Sequence, residues 1–228
     1  MLKRFRRFTS MGSLVSFASS FIVTSSAPNN GISTDDNVFG ILNDKYGSLK
    51  PILIKRFGEL PQPNKWIYND DDFSRTDESD DRFFYDEPRF VHHIDEYARK
   101  SLTDFYDIIM KYKLDRYGNI DVLDIASSWV THYPDSIIKN DNVRIKGIGM
   151  NVAELEQNPA FKSGNDYIVQ DLNKNVKIDK SFADDESFDI ITCAVSIDYF
   201  VTTKELIGEL LRILKPNGII ILSFSNRA

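Results

Sequence analysis

The stretch from Asn119 to Phe224 constrains the fold most. Five apolar runs recur in it: Ile120–Ile125, Val143–Ile148, Tyr167–Val169, Phe188–Val195 and Ile219–Phe224. Three of them are continuous β-branched or apolar runs, as strands covered on both faces of a parallel sheet require. Helix-compatible segments separate the runs, so the alternation predicts an α/β domain with right-handed crossovers. The last crossover is the best marked. Thr202-Thr-Lys-Glu205 has the spacing of a capping box, Ile207, Leu210, Leu211 and Leu214 form an apolar stripe, and Lys215-Pro216-Asn217-Gly218 supplies the stop. In that stop Gly218 is the residue free to take a left-handed turn. Ligand chemistry in such a sheet belongs at the carboxyl ends of the strands.

The loop after the first strand is Ala126-Ser127-Ser128-Trp129-Val130, with no glycine. A dinucleotide-dependent dehydrogenase needs a Gly-rich fingerprint here, which argues against that class. Upstream, Pro88 opens a predicted helix to Leu114, with Val91, Ile94, Ala98, Leu102, Phe105, Ile109 and Tyr112 as its stripe and Gly118-Asn119 as its end. Asp86 and Glu87 precede it, favourable at the positive end of a helix dipole. His92 and His93 fall in its first turn, where surface or capping contacts are expected. The domain proper is therefore read as 88–228, with the leading helix at 88–114 and the core at 119–228.

Residues 31–87 read as an irregular acidic extension, with Pro61-Gln62-Pro63 as a turn or linker. Asn69–Glu87 holds nine acids without the alternating ligands, central Gly and closing Glu of a calcium loop, so a solvated loop is expected. The single cysteine, Cys193, lies in an apolar strand and is expected to be a buried, inert thiol. The three histidines have no metal-ligand spacing. No apolar run is long enough to span a bilayer.

Charge divides the chain. The first 34 residues hold Lys3, Arg4, Arg6 and Arg7 and no acid, so the net charge of −6 leaves −10 on the remainder. A body that acidic repels nucleic acid phosphates. Residues 1–30, basic, Ser-rich and free of acid, have the composition of a mitochondrial or plastid transit peptide, expected to be disordered and removed on import near Gly31. A secretory signal with Met11–Val23 as its apolar region and Ser25-Ser26-Ala27 as its cleavage site is the competing reading. A bipartite plastid signal and an untargeted basic tail stay open beside them.

Asp124 at the end of the first strand, Gln170-Asp171-Leu172, Ser187-Phe-Asp-Ile-Ile-Thr192 and Leu211-Arg-Ile-Leu-Lys-Pro-Asn-Gly218 stand in a specific order and spacing. Together they resemble class I S-adenosylmethionine-dependent methyltransferases, the type 11 group in particular, over about residues 120–224. Asn64-Lys65-Trp66, Phe84–Asp95, Ser127–Val130 and Gly149-Met150-Asn151 are similar to a methyltransferase-like subgroup of plants, algae and cyanobacteria. The resemblance implies a Rossmann-like, mostly parallel sheet of about five strands in the order 3-2-1-4-5, with the leading helix as a cover beside the cofactor cleft. It also implies an S-adenosylmethionine site over Asp124, Ala126, Ser127, Ser128, Gly149, Met150, Asn151 and Asp171.

The family's Gly-x-Gly-x-Gly loop maps onto Ala126, Ser128 and Val130, of which Val130 should resist a left-handed conformation. The carboxylate that grips the ribose maps onto Gly149, with Asn151 and Glu154 as candidate substitutes; an Asp restored at 149 is expected to tighten binding. Asp171 keeps the acid that meets the adenine amino group, and Met150 is placed against the adenine or in the core. Trp129 either plugs the pocket or stacks on a ligand. Asp198, in the loop facing the methyl group, and His132 are the candidate catalytic bases, since a base must reach the proton it takes. The acceptor, a small molecule or a protein, is unspecified.

The family's closing hairpin of two strands does not follow Phe224, which predicts an exposed sheet edge open to dimer pairing. Two functions stay open: a methyltransferase, and a non-catalytic scaffold or assembly protein of an organelle that keeps the fold.

Overall fold

The structure is a computed structural model that describes residues 71–75 and 77–224, and the backbone of Asp70 and of Ser19–Thr24. The rest of the basic segment and all of residues 31–69, including the Pro61–Pro63 linker and Asn64–Trp66, lie outside the described residues. In chain order the strands and α-helices are β1 (Ser19–Thr24), α1 (Asp81–Tyr85), α2 (Glu96–Tyr117), β2 (Ile120–Ser127), α3 (Asp135–Ile138) and β3 (Val143–Gly149). They continue with α4 (Val152–Glu156), β4 (Tyr167–Val169), β5 (Phe188–Ala194), α5 (Thr203–Ile213) and β6 (Leu214–Phe224).

The sheet runs β1-β6-β5-β2-β3-β4. β2 to β6 are the five predicted strands, all parallel, and read from β4 they give the expected order 3-2-1-4-5. The order reverses between β2 and β5, where Ile125 pairs with Cys193. That junction is the topological switch point at which α/β sheets open a crevice. β1 adds a sixth strand antiparallel to β6, from Ser19 against Phe224 to Thr24 against Ile219. The β6 edge expected to be open is therefore paired, and these six residues, inside the segment expected to be disordered, form a strand.

Alternation along the central strands builds two cores. Val122, Ile190, Ile219 and Ile221 point to one face and pack with Leu102, Tyr106, Ile109 and Met110 of α2. Leu123, Ile125, Ile191, Cys193 and Ile220 point to the other and pack with Leu206, Leu210 and Ile213 of α5. Burial of both faces explains why these strands read as continuous apolar runs.

Three expectations about the helices change. The leading helix begins at Glu96, not Pro88, because the Asp95 carboxylate accepts the Ala98 amide and caps it there. Residues 88–94 run as irregular chain, Val91 is exposed, and the buried stripe is Ala98, Leu102, Tyr106, Ile109, Met110 and Lys113, with Phe105 only partly buried. The capping box of α5 does not form: the Thr202 hydroxyl donates to the Leu172 carbonyl at 3.3 Å and makes no cap bond. The buried stripe of α5 is then Leu206, Glu209, Leu210 and Ile213, and Leu211 is exposed. In the stop that follows, Asn217 rather than Gly218 takes the left-handed turn, at φ 63°. Gly218 is needed for space, since a Cβ there would lie 2.6 Å from the Leu214 side chain.

Candidate functional site

The carboxyl ends of β2, β3, β4 and β5 form one crest, and most of the predicted site residues stand on it. Asp124 lies near the carboxyl end of β2, in register with Gly147 of β3 and Thr192 of β5. The Thr192 hydroxyl lies 2.8 Å from Asp124 Oδ1, and Tyr133 OH lies 2.5 Å from Thr192 Oγ1. A threonine has one proton to give, so when it donates to the Asp124 carboxylate Tyr133 donates to it. Burial pushes the Asp124 carboxyl up to about 6, opposed by the Ser127 and Thr192 hydroxyls. Tyr106 closes the cluster and is 1% exposed.

Immediately beyond, Ala126 takes φ 53° and Val195, at the end of β5, takes φ 54°. Backbone strain in the Gly-less loop therefore falls on Ala126, and Val130 escapes it. A β-branched residue in the left-handed region is a true outlier. The two strained residues flank the switch point. The Val195 amide is held by Ser223, through its carbonyl at 2.9 Å and its hydroxyl at 3.3 Å.

The Ser127–Val130 loop is gathered by Asn158, a residue the sequence reading passed over. Its amide nitrogen reaches the Ser127 hydroxyl, the Ser128 carbonyl at 2.7 Å and the Val130 carbonyl, while its oxygen accepts the Ala160 amide. Asn158-Pro159 had only the signature of a turn. The Trp129 ring packs on His92 at 4.9 Å and meets Phe90 edge-on.

At β3, a Cβ on Gly149 would lie 2.3 Å from the Ser127 carbonyl and 2.9 Å from Leu155. The position of the missing ribose carboxylate has thus been filled by backbone. Met150 is half-buried at the bend that follows. Asn151 caps α4, accepting the Glu154 amide, and donates to the Tyr85 and Asp86 carbonyls at 2.9 and 3.3 Å. Glu154 is 6% exposed, and its two oxygens accept the Arg89 amide at 2.7 Å and the Ser128 hydroxyl at 2.5 Å. Both substitute residues are engaged by the segment upstream of α2 in this arrangement. At β4, Asp171 Oδ1 accepts the Asn173 and Lys174 amides, whereas its buried Oδ2 has no hydrogen-bond donor. The Lys174 ammonium stays 3.6 Å from that oxygen and pairs with Asp80 at 2.5 Å.

The two candidate bases are not brought together. Asp198 sits exposed in the 3-10 turn Ile197–Tyr199 after β5, and partial desolvation raises its pKa. His132 is driven down to about 4 by burial and then by Arg99 and His92, which places it toward the upstream segment and leaves it a weak base. Cys193 is fully buried with its thiol pushed up, an inert core residue. A groove lined by Val143, Ile145, Ala160 and Asp166 runs beside β3 and includes none of the crest residues.

The strand order, the switch point and the crest make this the Rossmann-like methyltransferase fold. In agreement, the model of a methyltransferase domain family matches residues 143–222. Among solved structures, the chain is similar to the plantazolicin methyltransferase BpumL in complex with a pentazolic desmethylPZN analog and SAH, at 18% identity and a TM-score of 0.41. That match covers 56% of this chain and 47% of that one. An S-adenosylmethionine dependent methyltransferase from Mesorhizobium loti matches at 17% identity and a TM-score of 0.39, over 51% of each chain. The YcgJ protein from Bacillus subtilis matches at 22% identity and a TM-score of 0.36, over 50% of this chain and 47% of that one. The chain thus spans about half the length of these structures. No curated protein matches the sequence significantly.

Proposed function

We propose that this chain is an S-adenosylmethionine-dependent methyltransferase whose acceptor is a small molecule or a protein. The observation behind it is the Asp171 carboxylate after β4, whose buried Oδ2 has, among the described residues, no hydrogen-bond donor and only the Lys174 ammonium at 3.6 Å. A buried acceptor left unpaired costs about 1–3 kcal/mol, and a base amino group would supply the missing hydrogen bond. When bound, the cofactor supplies an electrophilic methyl group on a sulfonium, so the protein's task is to position the acceptor in line and exclude water. Asp171 would hold the adenine end, and Asp124, with the Ala126–Ser128 loop, the amino-acid end. Asp198, in the turn after β5, is the candidate to orient or deprotonate the acceptor. The ribose end does not fit as arranged, because Gly149 has no room and Asn151 and Glu154 are committed elsewhere.

That last point favours a second reading, a scaffold protein that keeps the fold without catalysis. Titration calorimetry with SAH separates the two. Binding by the full chain, weakened about tenfold in Asp171→Ala as expected for one charge-assisted hydrogen bond, supports the enzyme. Absence of heat at millimolar SAH, in a protein shown to be folded, supports the scaffold. An organelle address in residues 1–30, similarity to the plant and algal subgroup, and pairing of two copies through a sheet edge remain proposals resting on sequence alone. Fusing the first 40 residues to a fluorescent reporter tests the address, and a diffuse cytosolic signal would overturn it.

A further inference from the structure

Residues 80–93 cross the crest from one side to the other and touch every loop assigned to the cofactor. Over the loop after β4, Asp80 pairs with Lys174 and the Asp81 carboxylate accepts from Asn173 at 2.9 Å. Over the loop after β3, the Tyr85 and Asp86 carbonyls accept from Asn151, and the Arg89 amide donates to Glu154. Over the loop after β2, the Val91 carbonyl receives Trp129 Nε1 at 3.4 Å while His92 stacks on the same indole. Six of these contacts are polar, and three of them occupy Asn151 and Glu154, the residues nearest the lost ribose carboxylate.

Beyond these contacts the stretch is held by Arg75 on Asp81, Arg99 on His92 and Phe90 against Trp129, and buries little apolar surface. α1 contains no buried residue; Phe83 is 79% exposed and Phe84 is 48% exposed. Segments that bury little apolar surface and hang on hydrogen bonds open at the low end of a protein's free-energy range. The Glu154 carboxylate, by contrast, is fixed from below by Ser128 and stays in place when the Arg89 amide leaves.

We infer that residues 80–93 are a strap that closes the ribose end of the crevice, and that the strap and the nucleoside exclude one another at Asn151 and Glu154. This rests on the S-adenosylmethionine reading above. When the strap lifts, the Asn151 amide and Glu154 Oε1 are both freed, one donor and one acceptor at the end of β3, where ribose hydroxyls need partners. The apparent affinity for the cofactor is then the intrinsic affinity scaled by the fraction of molecules with the strap open.

Hydrogen exchange on the full chain with and without SAH tests this, read on the amides of residues 81–93. SAH should speed exchange of the Arg89 amide and its neighbours while slowing exchange near Asp171. The double variant Asp81→Ala/Arg89→Pro removes one carboxylate and one amide from the strap and leaves every crest residue intact. It should exchange faster without ligand and bind SAH about tenfold more tightly, with Arg89→Lys, which keeps the amide, unchanged. Protection of the strap by SAH in the wild-type chain would overturn the inference and make the strap part of the binding site; this readout does not depend on the variant folding. Equal or weaker SAH binding by a folded double variant overturns it as well, while leaving the methyltransferase reading standing. If neither protein binds SAH, both readings fall together.

Discussion

Asp124 and Gly149 show how much a single position on the crest can decide. A carboxyl raised in the folded state favours its protonated form there, so its contribution to stability is complete below the unfolded value near 4 and is lost as pH rises toward 6. Asp124→Asn has no such proton to lose. Its stability relative to the wild type should therefore improve between pH 4 and pH 7, by roughly 1–3 kcal/mol, in urea denaturation at the two pH values. A difference that stays constant across that range would mean the acid is solvated. Tyr106 and Tyr133 are pushed further from neutrality by the same burial and do not titrate in this window. At Gly149 the sequence argument for restoring an Asp inverts. The Ser127 carbonyl occupies the Cβ position, so Gly149→Asp should lose stability by about 1–3 kcal/mol and weaken SAH binding rather than tighten it. A stable variant that binds more tightly would show that the Ser127 backbone can retreat.

Among the elements, α2 marks the boundary between what periodicity can and cannot reveal. Ala98, Leu102 and Ile109 were legible, because three- and four-residue spacing fixes a face whatever it packs on. The start was not legible: Pro88 is a good first residue for a helix, and what prevents it is a set of partners, Glu154 and Trp129, that lie 38 to 65 positions away in sequence. Phe105, predicted to be core, is partly buried while Tyr106 and Ile109 beside it are at 1% exposure. Ile109→Ala should therefore cost about 2–5 kcal/mol and Phe105→Ala clearly less, measured by thermal or chemical unfolding. The reverse ranking would place α2 a third of a turn from its observed orientation. Thr202 follows the same logic as Pro88, since a nearby Leu172 carbonyl takes the hydroxyl that local sequence assigns to the cap. The five parallel strands were legible to within a few residues, because their runs are rich in apolar residues, the central ones on both faces, and no distant partner has to be known. Of the site, Asp124 and Asp171 were found by position on strand ends. Asn158, the Tyr133–Thr192 pair and the strap depend on contacts across the fold and carry no local signal.

For the whole molecule, the organising fact is a parallel sheet whose two edges are treated differently. β4, three residues long, leaves little edge to pair. β6 is long and apolar, and β1 covers it. A chain lacking residues 1–30 should expose that edge and form dimers or larger species at micromolar concentration, read by light scattering after size-exclusion chromatography. A persistent monomer would mean that β1 is dispensable to the edge.

Pairing Ser19–Thr24 with Ile219–Phe224 also sets a clock. The two partners are separated by about 200 residues, among the most non-local contacts that a chain of this size can make, and such contacts form late. During synthesis the early strand leaves the ribosome without its partner until β6 has been made. For that interval it is unpaired, with Lys3, Arg4, Arg6 and Arg7 upstream of it in sequence. Once β6 arrives, the same residues disappear into the sheet. Any receptor that reads this stretch must do so before folding finishes, and the sheet itself decides when the reading ends.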